Sequence, residues 1–184
     1  MTTVVGIDYS LTCPCVCVAR DTDFHNSYFH YLTDRKSAVG KFKNIFGDYH
    51  DDYLTDQQRY ENSASWVINI VKDLDPDDTH IMIEDYSFGS KGRVFNLAEN
   101  CGIMKYLLYK GNYRFHTVAP TVVKKFATGK GNSNKDAMYE AFIKETNFDL
   151  ISILTPKSKL VGNPVSDIVD AWYLAKYMLT KLET

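Results

Sequence analysis

No stretch of the 184-residue chain approaches the ~18 consecutive apolar residues of a membrane-spanning helix, and no basic-then-apolar leader opens it. We therefore expect no membrane partner and a soluble protein of the cell interior. Disulfide chemistry is equally thin. Four cysteines, Cys13, Cys15, Cys17 and Cys101, do not make a secreted disulfide framework in a chain this long. No CxxC pair or His at ligand spacing makes them a thiolate metal site. Cys13, Cys15 and Cys17 alternate along an expected strand, share one face, and read as small buried side chains in a reducing compartment. Internal repeats, low-complexity tracts and a clear linker are also missing, so one domain over residues 1–184 is the simpler reading. Gly129-Lys130-Gly131 lacks the full spacing of a nucleotide-triphosphate loop, and no nucleotide cofactor is expected.

What is present is a globular composition, 45% hydrophobic, with an uneven distribution of charge. The net charge of −2 argues on its face against a nucleic-acid partner. Its two parts argue otherwise. Through Asp85 there are 7 Lys and Arg against 15 Asp and Glu, a net of −8; from Tyr86 there are 14 against 8, a net of +6. Such asymmetry suits a protein that carries metal-binding carboxylates and also a phosphate-facing surface, although charge runs are usually solvated faces.

Thr3 to Tyr9 reads as a buried strand, Thr12 to Ala19 as an alternating one, and Phe24 to Leu32 as an aromatic-rich third, joined as an antiparallel meander. From Thr33 to Tyr53 the composition turns polar, an excursion or flexible loop. Thr55 to Leu74 has apolar residues at helical spacing and stops at Asp75-Pro76-Asp77-Asp78. A short strand from His80 to Glu84, a helix from about Phe95 to Tyr109, and a strand from Arg114 to Val118 follow. Pro120 starts a brief helix, and Asn134 caps another that runs to about Glu145. Asn163-Pro164 opens a final helix through Leu182, capped by Ser166 or the neighbouring Asn. The order βββαβαβα, with a mixed sheet of about five strands flanked by helices, is that of the ribonuclease H-like fold.

Four carboxylates stand out. Asp8 ends the first strand after Val4-Val5-Gly6-Ile7, and Glu84 ends the fourth after Ile81-Met82-Ile83. If these strands are neighbours, both acids reach one edge of the sheet. An unpaired buried charge is costly, so Asp8 either caps a turn through Ser10 or has a partner. Asp167 and Asp170 share a helix face three residues apart, at the start of the core-packing run Ala171, Trp172, Leu174 and Ala175. A cation would neutralise them, while the helix dipole offers a weaker account. Four such oxygen donors suit Mg²⁺ or Mn²⁺, and a pair of ions fits phosphodiester hydrolysis.

The segments GIDYSLT, IMIEDYSFGSKGRVFNLAENCGIM, HTVAPTVVKKFATGKGNSNKDAM and SDIVDAWYLAKYM, in this order, resemble the RuvC family of Holliday junction resolvases over most of the chain outside residues 20–80. The resemblance implies a homodimeric, metal-dependent endonuclease that resolves four-way or branched DNA junctions, leaving 5′-phosphate and 3′-hydroxyl nicks. It implies that Asp8, Glu84, Asp167 and Asp170 hold two Mg²⁺ or Mn²⁺ ions, and that Lys124 and Lys135 are the basic residues near the scissile phosphate, with Lys135 catalytic. It also implies Phe88 as an aromatic that stacks at the crossover. Tyr9-Ser10 departs from the Pro-Gly often found after the first aspartate, a Ser-Leu-Thr form shared with phage relatives. A phage-encoded member would work in the cytoplasm of its bacterial host. The 33–53 stretch is longer than the family pattern.

Lys91, Arg93, Lys124, Lys125, Lys130 and Lys135 are the candidate DNA-facing cations. Tyr86 either stacks on bases or packs under its loop, and Asp85 is taken as solvated. His25, His30, His50, His80 and His116 receive no role. The apolar residues along Phe95–Tyr109 mark either a dimer interface or burial beneath the last helix. Competing functions are a broader flap, branch or RNA–DNA hybrid nuclease, a non-catalytic DNA-binding or assembly protein, and an actin-like kinase. The last lacks its Gly-Thr-rich phosphate turn and the length for two lobes.

Overall fold

The computed structural model describes residues 2–86, 94–158 and 160–183. β1 (Thr3–Asp8), β2 (Cys15–Ala19) and β3 (Tyr28–Thr33) form the expected antiparallel meander. β6 (Thr79–Glu84) lies parallel to β1 on its other side, and β7 (Arg114–Val118) lies parallel to β6. The 33–53 excursion is not a loop. It contains β4 (Gly40–Phe42) and β5 (Ile45–Tyr49), an antiparallel hairpin whose second strand runs parallel to β3. The sheet of about five strands therefore grows to seven, ordered β4-β5-β3-β2-β1-β6-β7. Ile45 and Gly47 explain why a polar stretch pairs here: Ile45 is buried in the core, and a Cβ at Gly47 would collide with Tyr31 and the Ala38 carbonyl.

α1 (Asp56–Val71) starts where the Thr55 hydroxyl accepts from the Gln58 amide at 3.2 Å. It ends three residues short of the expected Leu74. With α2 (Val94–Lys110) it covers one face of the sheet, burying Val5, Ile7, Ile81, Ile83, Cys101 and Met104. The other face carries α3 (Pro120–Thr128), α4 (Lys135–Thr146), the short α5 (Leu150–Leu154) and α6 (Val165–Leu182). Here Val4, Cys15, Cys17, Met82, Phe142, Trp172 and Leu174 are buried, and Cys13 joins them from the turn before β2 rather than from the strand. All four cysteines are buried free thiols. No helix among the described residues is long and apolar enough to cross a membrane.

Strand alternation decides which face receives the acids. Val5 and Ile7 point to α1 and α2, so Val4, Gly6 and Asp8 point to α6; by the same count Met82 and Glu84 do too. α6 lies directly on β1 because residue 6 has no side chain: a Cβ there would overlap the Ala171 carbonyl and the Ala175 amide. We expect Gly6→Ala to lower stability by on the order of 3 kcal/mol through this overpacking. Urea denaturation measures it, and an unchanged midpoint would show that α6 does not sit so close.

Candidate functional site

β1 and β6 are neighbours with Ile7 opposite Ile83, which sets Asp8 and Glu84 side by side at the carboxyl end of the sheet. α6 brings Asp167 in its first turn and Asp170 in its second, on the stripe that continues through Ala171, Leu174 and Ala175 toward β1. Asp167 and Asp8 are buried, 5% and 9% exposed, and Glu84 and Asp170 are half-buried. The expected cap of α6 is corrected: Pro164 occupies the cap position without a side-chain bond, and Ser166 lies inside the first turn.

The four acids feel one another. Asp8 is held well above the usual carboxylate range, first by burial, then by the charges of Asp167, Glu84 and Asp170, with Lys135 opposing. Burial pushes Asp170 up to about 7, reinforced by Glu84 and Asp167 and opposed by Lys124 and Lys135. Burial pushes Asp167 up to about 6 against the pull of Lys135 and of hydrogen bonds from its own amide, Cys13 and Ser166. Glu84 is raised by burial, lowered by Lys124, and raised by Asp167. The helix dipole acts within the first turn of α6, where Asp167 sits, and Asp170 lies one turn further on.

α3 and α4 supply the counter-charge. Asn134 caps α4 as expected, its side chain accepting from the Ala137 amide at 2.9 Å, which fixes Lys135 as the first helical residue. Lys135 Nζ donates to Ser166 Oγ at 3.1 Å, and that hydroxyl lies 3.3 Å from Asn163 Oδ1 and 3.4 Å from Asp167 Oδ2. Lys125 is exposed on α3, and Lys130 is exposed in the turn that follows. Phe88, Lys91 and Arg93 lie outside the described residues. Tyr86 is resolved toward packing: it rests on the core beneath α2 with Lys105 Nζ 4.8 Å from its ring centre. Asp85 is half-buried and accepts from the Tyr86 amide.

Two contacts at the site carry almost no signal in the sequence. The Cys13 thiol lies near enough to Asp167 to feel its charge, and Ser166 bridges Asp167 and Lys135. Only the adjacency of Ser166 to Asp167 hinted at the second.

Whether this set suits a divalent cation has a divided answer. Four oxygen donors, all raised by burial and three of them also by neighbouring acids, are the donor chemistry of a hard dication. Among the described residues, however, no group of three or more His, Cys, Asp or Glu is disposed to hold a metal ion. The fit is one of charge and donor type, without a closed ligand set.

Each raised acid binds its proton more tightly folded than unfolded, where carboxylates titrate near ~4. Folding thus takes up protons between about pH 4 and about 7, and stability without metal falls as pH rises through that window. We expect Asp170→Asn to stabilise the metal-free protein by on the order of 2 kcal/mol at pH 8 and little at pH 5. Denaturation at both pH values checks this, and a loss of stability at pH 8 would contradict it.

The chain overlays a solved structure of RuvC from Thermus thermophilus with a TM-score of 0.63 at 14% identity, covering 100% of this chain and 98% of that one. It overlays T. thermophilus RuvC in complex with a Holliday junction substrate at 0.65 and 12% identity, with the same coverage. The yeast mitochondrial Holliday junction resolvase Ydc2 gives 0.54 at 15% identity, over 95% of this chain and 76% of that one. No protein-family model and no curated protein matches the sequence. The fold is therefore the ribonuclease H-like fold that RuvC has.

Proposed function

We propose that this protein is a structure-specific DNA endonuclease that resolves four-way or branched junctions by divalent-metal-dependent phosphodiester hydrolysis, leaving 5′-phosphate and 3′-hydroxyl ends. The observation that carries this reading is the convergence of Asp8, Glu84, Asp167 and Asp170 from two strands and a helix distant in sequence. The overlay on a RuvC structure that holds a Holliday junction supports branched DNA as the substrate.

In this reading the four acids hold Mg²⁺ or Mn²⁺. Bound there, two such ions would supply the Lewis acidity that the hydrolysis needs. The protein's own contribution is charge and position. Lys124 and Lys135 stand over the acids, where their ammonium groups offset charge developing on the scissile phosphate. Ser166 accepts from Lys135 and keeps its nitrogen beside Asp167. Lys125 and Lys130, with Phe88, Lys91 and Arg93 of the segment that follows β6 in the sequence, guide the adjoining DNA.

A homodimer would present two such sites to the symmetric strands of a junction. Its support is the outer stripe of α2, where Phe95, Tyr106 and Tyr109 are 83%, 58% and 70% exposed and open space surrounds Gly102. The wild-type chain should sediment as a dimer and Tyr106→Asp as a monomer. The open spacing of the acids favours one other reading, a DNA-binding or assembly protein of the same fold without catalysis.

Single-turnover cleavage separates the two. With Mg²⁺ or Mn²⁺ the protein should nick a synthetic four-way junction in preference to flap, hybrid and plain duplex substrates. Asp8→Asn should slow nicking at least about a hundredfold while sparing junction binding. Binding without nicking by the wild type would establish the non-catalytic reading.

A further inference from the structure

The turn of residues 9–14, between β1 and β2, touches the acid cluster at two points. Asp8 precedes it in the chain, and Cys13 within it is buried in the same core as the start of α6 and lies close enough to Asp167 to feel its charge. Its inner bonds are few: the Cys13 amide donates to Ser10 Oγ at 3.1 Å, and the Leu32 amide to the Pro14 carbonyl at 3.1 Å. The outward carbonyls of Leu11 and Thr12 are satisfied from elsewhere. Arg59 Nη2 donates to Leu11 O at 2.6 Å, and His50 Nε2 lies 2.9 Å from Thr12 O. A carbonyl only accepts, so Nε2 carries the proton.

Both donors come from the segment that the extra hairpin delivers. β5 runs parallel to β3 and so finishes at the same end of the sheet as Asp8. The His50 amide then bonds the Thr33 carbonyl at 3.2 Å, which sets the imidazole beside the turn. Thr55 caps α1 immediately afterwards, and Arg59 projects from its first turns with its guanidinium 5.2 Å from the Tyr53 ring centre. Arg59 Nε is buried and has no hydrogen-bond partner among the described residues. A buried donor left unpaired is a poor way to stabilise a fold, so this guanidinium calls for another role. Around it Asp48, Asp51, Asp52 and Asp56 line a groove of about 330 Å³ and its neighbours, a rim that repels a DNA backbone. Arg59 is therefore poorly placed as a phosphate contact.

We propose that Arg59 and His50 are positioning residues that grip the 9–14 turn through the Leu11 and Thr12 carbonyls and thereby set Asp8 against Asp167. The polar stretch after β3 then has a definite task, which is to bring a second clamp to the turn behind the first acid. The proposal rests on the nuclease reading for its consequence, though not for its geometry.

Two measurements on the full chain test it. In single-turnover nicking of a four-way junction, Arg59→Ala should cut the rate at saturation by about tenfold to a hundredfold, with junction affinity unchanged. Arg59→Lys, which keeps a donor for Leu11, and His50→Gln, which keeps one for Thr12, should recover most of the rate that Arg59→Ala and His50→Ala lose. In amide exchange read by mass spectrometry, Arg59→Ala should speed residues 10–13 while α6 stays as protected as in the wild type. Wild-type rates in the alanine variants, a loss confined to affinity, or exchange that accelerates evenly along the chain would each overturn the proposal. If the wild type nicks no DNA, the nuclease reading fails by itself, and the exchange pattern still decides the clamp.

Discussion

The helix α6 can reach the sheet only where β1 has nothing to hold it off, and Gly6 provides that place. Two residues further along the same face of β1 comes Asp8, and one turn back along α6 from Ala171 comes Asp167. The close approach that packs Val169, Trp172 and Leu174 into the core thus also forces carboxylates from both elements into a shared, poorly solvated space. Repulsion among them is a consequence of good packing around them. Lys124 and Lys135 lessen it without abolishing it, since Asp8 and Asp170 remain well above the usual carboxylate range. In the proposed reading, a divalent cation would relieve this repulsion.

The edge of the sheet around this spot is divided by charge. On the side of α3 and α4, lysines face the acids or lie exposed beside them. On the side of β5 and α1, aspartates line the rim and one arginine turns inward to a backbone carbonyl. The uneven charge of the sequence acquires meaning in this arrangement. In the proposed reading, a phosphate backbone would be attracted along one flank and repelled from the other.

Much of this was legible beforehand because strand and helix periodicity are local properties. The alternation of Val4, Val5, Gly6 and Ile7 fixes the face on which Asp8 lies, and a three-residue spacing on a helix fixes that of Asp167 and Asp170. Asn134 declares the start of α4 and therefore the place of Lys135. The hairpin of β4 and β5 was hidden because its edge position leaves Lys41, Asp48 and Tyr49 exposed, so little apolar alternation marks it. The opening of α6 at Asn163-Pro164 matches its sequence, but the capping residue does not, for a related reason. Ser166 has the chemistry of a cap, but its hydroxyl is engaged by Lys135 and faces Asn163 and Asp167, and only the tertiary fold brings that lysine near. His50 and Arg59 carry no sequence signature at all, because their partners are backbone carbonyls 38 and 48 positions away.

Whether Asp8, Glu84, Asp167 and Asp170 share a divalent cation is answered by anomalous diffraction from crystals of this protein equilibrated with Mn²⁺. We expect manganese density bounded by those four side chains and lost when Asp8 is replaced by Asn. Density elsewhere on the surface, with none between β1, β6 and α6, would contradict it.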